Sequence, residues 1–449
     1  MRNAHGDGAT DDTPTIAHLG VGAFHRAHQA WYTHRASVVG QPWRIVAFTG
    51  RSSRQADVLR ARGGRYTLVT RGADADELSE ITSIREVHDG ADQASWRAVV
   101  SRPSTRVVTL TITEAGYRLN GRGRLDTAAP DVAADLGSAR TDATAPAATA
   151  PVRLAAGLAA RRASGAGELT VISCDNLSAN GAITRAVVRA AAAEWDPTLV
   201  DWIDAHVTFL SSMVDRITPR TTPADIDEVE RRTGIRDEGT VVAEPFSEWI
   251  IEEPSPAGFA GPRPAWAQVG VRFESDLAGF EERKLRILNG AHSLLAYQGL
   301  RRGFDDVATA FADPALRDLV EEYWVEAAAS CRLPPSELAA AVAATRERFA
   351  NARIGHTLAQ IAMDGAHKLP HRIVPVLAHA VRAGGEASAP ASAIAAWAVR
   401  SGQGDDAVER LLDGVADSAV LPAMRAAIAR GIRRLESDPV GAVRGGGAI

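Results

Sequence analysis

Between Thr15 and Trp195 short apolar or β-branched runs alternate with stretches of helical character, and few folds accommodate that alternation. TIAHL, WRIVAFTG, RVVTLTI and ELTVISC read as buried strands. SSRQADVLRARG, RLAAGLAARRASG and ANGAITRAVVRAAAAEW read as helices, and residues 121–151, rich in Ala, Thr and Pro, read as a surface loop. Strands that alternate with helices imply parallel pairing, because a parallel crossover needs a dozen or more residues and is usually helical. The expected fold is therefore α/β, with a Rossmann-type doubly wound sheet domain over residues 14–276. TVVAEPFSEWIIEE and WAQVGVRFESD are expected to add strands to that sheet. From residue 277 helical periods dominate, so residues 277–440 are expected to form a mainly helical second domain. A chain of 449 residues is long enough for two cores.

Composition narrows the function mainly by exclusion. A formal net charge of −5 gives no electrostatic footprint for nucleic acid or a membrane surface, and no apolar run reaches spanning length. Two cysteines, Cys174 and Cys331, cannot make a disulfide framework or a Cys-rich zinc site. The polar opening MRNAHGDGATDDTPT has no apolar h-region, so the expected location is the cytoplasm.

The first strand–helix junction carries Gly20 and Gly22, followed by Ala23 and Phe24. A dinucleotide fold needs a tight turn and close backbone approach to a pyrophosphate at that place. His25 stands where the third glycine of G-x-G-x-x-G would be, so the fingerprint is incomplete. The second strand ends in Gly50-Arg51-Ser52-Ser53-Arg54, with no carboxylate for ribose hydroxyls before Asp57. Arg51 or Arg54 could pair with a 2′-phosphate, or be solvated, which leaves NAD and NADP both open.

Hydride transfer from a secondary alcohol needs a base and donors for the developing oxyanion. KLRILNGAH offers Lys284, Asn289 and His292, which share an arc of ~140° if the helix turns ~100° per residue. Burial would disfavour the Lys284 ammonium and make it a usable base. Each residue alone also has an ordinary reading: a solvated Lys, a helix end at Asn289-Gly290, a structural His. Asn176 follows the strand ELTVISC at the sheet end where α/β proteins bind ligands, and turn chemistry is its alternative. His25 and His28 lack a supporting carboxylate cluster, so no metal site is expected.

Seven ordered blocks add a further constraint: GVGAFHRAHQA, TLTITEAGY, SCDNLSANG, SSMVDRITPRTT, AEPFSEWIIEE, KLRILNGAHS and RFANARIGHTLAQIAMDGAHKLP. Together they resemble the long-chain mannitol dehydrogenase family, across residues 16–375. The resemblance implies metal-independent oxidation of a polyol such as mannitol to its ketose, with NAD as cofactor. It implies Lys284 as general base, Asn176 and Asn289 as the oxyanion hole, and His292 as a substrate contact. It implies Asp215 near the site and Lys368 as a basic substrate contact. A fructuronate-type reductase is the nearest alternative, and Lys368, His371 or Arg372 could supply its carboxylate-binding cation. A non-catalytic nicotinamide sensor is the alternative from another class, but a sensor needs no proton base. The expected partner is a small polyol, ketose or uronate, with a monomer or small homo-oligomer as the assembly.

Overall fold

The computed structural model describes residues 12–50, 52–142, 144–253, 258–402, 404–415 and 417–437. They fall into two compact units, one drawn from Met1–Arg71 and Asp76–Leu277, the other from Gly72–Ala75 and Ala278–Ile449. The described strands are β1 (Thr15–Leu19), β2 (Arg44–Phe48), β3 (Tyr66–Arg71), β4 (Asp76–Ile81), β5 (Ile84–His88), β6 (Thr105–Leu110), β7 (Leu169–Ser173), β8 (Val207–Leu210), β9 (Ser212–Asp215), β10 (Val241–Ala243), β11 (Glu248–Glu252) and β12 (Arg272–Glu274).

Six of them form one sheet in the order β5-β2-β1-β6-β7-β8. All of its pairings are parallel. Renumbered within the sheet, that is the 3-2-1-4-5-6 order of the dinucleotide-binding fold, with its reversal between β1 and β6. Both faces are covered. Ile16, Ile45, Ala47 and Val107 face one apolar core, while Ala17, Val46, Phe48 and Val108 face the other. The period-2 geometry of a strand splits neighbours between faces in this way, and burial on both sides explains why these strands read as continuous apolar runs.

Two expectations are corrected. The segments after residue 240 do not extend the main sheet: β10 pairs with β3 in a sheet ordered β10-β3-β4, and β11 joins β12 and β9 in another. β9 runs antiparallel to β11, and Ser211 separates it from β8, so the chain leaves the main sheet there. The stretch read as a loop contains the helix Pro130–Thr141, with Pro130 at its first position, where a missing N–H is harmless. The hairpin β3–β4 and the edge strand β5 went unread, and in β4 and β5 charged residues dilute the apolar pattern.

The second unit is built around the helix Ala291–Arg301, which is buried from Ala291 to Gly299. The helices Val307–Ala312, Pro314–Ala329, Leu358–Ala362 and Ser388–Ser401 pack against it. No described helix is long and apolar enough to cross a membrane.

Candidate functional site

In the sheet unit the candidate residues gather at the carboxyl ends of the strands. Gly20 follows β1 with φ at +102°, and a Cβ there would overlap the carbonyl oxygen of Thr111, just past β6. Only glycine fits that turn. Gly22 precedes the short helix Ala23–Ala27, and an added Cβ would meet only the Gly20 carbonyl, at 3.8 Å. Gly22, Ala23 and Phe24 are all partly exposed. A tight first glycine and an open second one at the strand-order reversal fit the approach of a pyrophosphate.

The helix that follows is not continuous. It breaks at His28 after five residues and resumes as Gln29–Val39. His28 Nε2 donates to the Glu248 carbonyl at 2.9 Å, which ties the break to β11. The missing third glycine also has a physical account. The His25 ring stacks on His18 of β1, centroids 3.3 Å apart and 15° from parallel, so a flat ring occupies the helix–strand contact. Burial, reinforced at His25 by His18 and Arg26, holds both imidazoles below the usual histidine range, His18 at about 3. No group of three metal-ligating side chains occurs among the described residues. Arg51 lies outside the described residues; Arg54 opens the helix Arg54–Arg60, its N–H donating to Ser52 Oγ at 3.3 Å.

Asn176 is exposed in the turn after β7. Cys174, before it, is buried, and that burial pushes its thiol up, as suits a packing residue. Asp215 ends β9, is 9% exposed and pairs in register with Glu248 of β11. Arg216 beside it donates to the Ala27 carbonyl and lies over the Trp31 ring.

In the helical unit, Lys284–Gly290 is a π-helix, inserted between the α-helices Ala278–Arg283 and Ala291–Arg301. The arc reckoned from α-helical winding therefore does not apply. In an α-helix Lys284 and Asn289 would point ~140° apart, whereas i→i+5 winding sets residues five apart roughly one turn apart on the same side. Side chains meet the carbonyls of this segment. The Tyr323 hydroxyl lies 3.0 Å from the Arg286 carbonyl and 3.1 Å from that of Arg372, Trp324 Nε1 donates to Ile287 at 3.1 Å, and Ser293 Oγ donates to Asn289 at 3.0 Å. Gly290 lets the segment press so closely on Tyr323 that a Cβ would overlap its hydroxyl. Lys284 and Asn289 are half-buried.

His292 follows on the next helix, 5% exposed, tilted against Phe349 at 4.5 Å and edge-on to His356 at 5.0 Å. Burial first, then His356, Arg348 and Arg372, hold it well below the usual histidine range, so it is neutral. Its Nε2 is buried with no hydrogen-bond partner among the described residues. Arg372 donates to Ser293 Oγ at 3.3 Å from the helix Gly365–Arg372, which packs on the π segment. Lys368 shares that helix, with its Nζ 4.0 Å from Asp364. Arg348 and His356 were not singled out from the sequence, although both lie in a quoted block. The π insertion has no periodic signature that would have revealed it.

The comparisons with known proteins follow the same division. Residues 14–268 match the mannitol dehydrogenase Rossmann domain and residues 276–430 match the mannitol dehydrogenase C-terminal domain. The chain belongs to the mannitol dehydrogenase family. Among its relatives, the D-arabinitol 4-dehydrogenase of Ralstonia nicotianae is 39% identical, over 84% of this chain and 81% of the relative. The D-mannonate oxidoreductase of Escherichia coli is 37% identical, over 89% of this chain and 82% of the relative. Among solved structures, the Pseudomonas fluorescens mannitol 2-dehydrogenase, a ternary complex with NAD and D-mannitol, superposes with a TM-score of 0.78. It is 33% identical, with 96% of this chain and 93% of that one covered. The family membership makes this chain an oxidoreductase whose Rossmann-type domain supports a nicotinamide cofactor.

Proposed function

We propose that the chain is a metal-independent, NAD-dependent polyol dehydrogenase that interconverts D-mannitol and D-fructose. The observation that carries this reading is the π-helix at Lys284–Gly290, a rare winding that is frequent at functional sites. It sets Lys284 and Asn289 one turn apart, with neutral, underbonded His292 next along the chain.

The cofactor, when bound, supplies the hydride acceptor. The pyrophosphate would lie against the backbone of Gly20 and Gly22, beside Ala23 and Phe24. Lys284 takes the proton of the reacting hydroxyl as general base. The amides of Asn289 and Asn176 donate to the oxygen as charge develops on it. His292, kept neutral by burial, can offer or accept one hydrogen bond and so orients a sugar hydroxyl. Asp215 and Lys368 are assigned to substrate contact, and Arg51 to the adenosine end of the cofactor. The choice of NAD over NADP leans on the Pseudomonas relative's complex, and Arg51 keeps NADP as the competing cofactor. The reading carries a cytoplasmic location and a monomer or small homo-oligomer with it.

A second reading is reduction of a sugar acid. Arg348 and Arg372 both bear electrostatically on His292, and a guanidinium is suited to bidentate binding of a carboxylate. Nicotinamide absorbance tests both readings, with D-fructose and D-fructuronate offered separately to NADH and to NADPH. Turnover of D-fructose with NADH is expected. Turnover of D-fructuronate alone would replace the polyol reading, and a preference for NADPH would replace the cofactor.

A further inference from the structure

The block TLTITEAGY has no place in the chemistry assigned so far, yet it ends on a buried phenol bonded to Asp175, the neighbour of Asn176. Tyr117 closes the one-turn 3-10 helix Glu114–Tyr117 and is 1% exposed. Its hydroxyl donates to Asp175 Oδ2. Asp175 is 8% exposed, and its other oxygen accepts from Leu177 N–H at 3.1 Å, so the carboxylate bridges the backbone across Asn176. Asn180 Nδ2 donates to the Asp175 carbonyl at 3.3 Å. The Asn180 side chain also grips Ser212 from both sides, donating to its carbonyl and accepting from its N–H, each at 3.0 Å. Ser212 opens β9, the strand that ends on Asp215.

One chain of hydrogen bonds thus runs from Tyr117 through Asp175 and Asn180 to Ser212, and it joins three of the seven sequence blocks. The turn it holds is strained: Ala179 has φ at +53°, a left-handed conformation that is costly for a non-glycine residue. Gly181 lies so close to the Leu210–Ser211 backbone that a Cβ would overlap it, which seats the helix start against the end of β8. Burial and the facing carboxylate push the Tyr117 phenol up, so it stays protonated and donates. Burial likewise pushes Asp175 above the ordinary carboxylate range.

We propose that Tyr117 and Asp175 are positioning residues of the reaction: the phenol clamps the carboxylate, and the clamp fixes how the neighbouring Asn176 amide is presented. The proposal rests on the oxyanion role assigned to Asn176. Neither residue needs to touch substrate for this, since the effect travels through the single peptide between Asp175 and Asn176.

The test is a double-mutant cycle on the full-length protein, Tyr117→Phe against Asn176→Ala, assayed with D-mannitol and NAD. Asn176→Ala is expected to lower kcat by about 10²-fold or more, the scale of a lost oxyanion donor. Tyr117→Phe is expected to lower kcat about tenfold and leave KM for NAD unchanged, but to add nothing in the Asn176→Ala background. A Tyr117→Phe loss that multiplies fully in that background, or no loss at all while Asn176→Ala is impaired, overturns the positioning role. Full kcat in Asn176→Ala instead overturns the oxyanion assignment itself, so the two failures are distinct. Hydrogen–deuterium exchange gives a readout that needs no substrate: uptake across residues 174–180 rises in Tyr117→Phe, and unchanged uptake overturns the clamp. If Tyr117→Phe does not fold, Asp175→Asn, whose one amide oxygen can accept from the phenol or from the Leu177 N–H but not from both, carries the same cycle and exchange measurement.

Discussion

At the scale of single residues, the two loop glycines are expected to separate folding from binding. Gly20 has a left-handed φ and a carbonyl where its Cβ would be, so Gly20→Ala is expected to destabilise the sheet unit by about 2 kcal/mol or more. Gly22 has neither constraint, and Gly22→Ala is expected to leave thermal stability within about 0.5 kcal/mol while weakening NADH binding several-fold. Calorimetry beside a fluorescence titration with NADH checks both; equal stability losses would contradict the division of roles. The GxG pair was legible in the sequence because its chemistry is local to one turn. His25 was legible only as a departure, because the stack on His18 that makes room for it joins a helix to a strand and has no sequence pattern.

At the scale of elements, the π segment depends on donors outside itself. Tyr323 and Trp324 come from the helix Pro314–Ala329 and serve the carbonyls of Arg286 and Ile287. Removing the hydroxyl in Tyr323→Phe is expected to cost about 1 kcal/mol of stability, the usual net worth of such a bond. It is also expected to lower kcat about tenfold, since the winding that aligns Lys284 with Asn289 loses support. Steady-state kinetics beside urea denaturation measures the two effects, and a stability loss with kcat unchanged would detach the segment from catalysis. Lys284, Asn289 and His292 could be picked out as residue types in the chain, but their alignment could not. Hydrophobic periodicity over seven residues is too short to tell i→i+5 from i→i+4 winding. Strands β1, β2, β6 and β7 were legible as apolar runs, whereas β5, β8 and β9 went unread, and β10 to β12 were given to the wrong sheet because their partners are set by tertiary pairing alone.

At the scale of the whole molecule, both units bury neutral histidines, and acid should find them. His18 at about 3 and His356 at about 4 lie below the ordinary 6.5, with His25 and His292 also held well below it. As pH falls below 6.5 the unfolded chain takes up these protons before the folded one does. Stability is therefore whole above pH 6.5 and drains as pH falls toward the folded values, at about 1.4 kcal/mol per pH unit for each such histidine. Thermal midpoints should fall from pH 6.5 downward, with the four histidines outweighing the raised carboxyls of Glu326, at about 7, and Asp175, which act in the opposite sense. A midpoint flat to pH 5 would contradict the neutral stacks. The division into a sheet unit and a helical unit follows two different periodicities in one sequence, which is why the fold could be read from the chain. The substrate could not, because relatives of similar identity act on different sugars by name. The most direct measurement is D-mannitol-dependent reduction of NAD by Lys284→Ala beside the unaltered protein, with NADH affinity taken in parallel. The proposed role of Lys284 as base requires turnover to fall by about 10³-fold while NADH affinity stays within about twofold. Turnover within tenfold of the unaltered protein would contradict it.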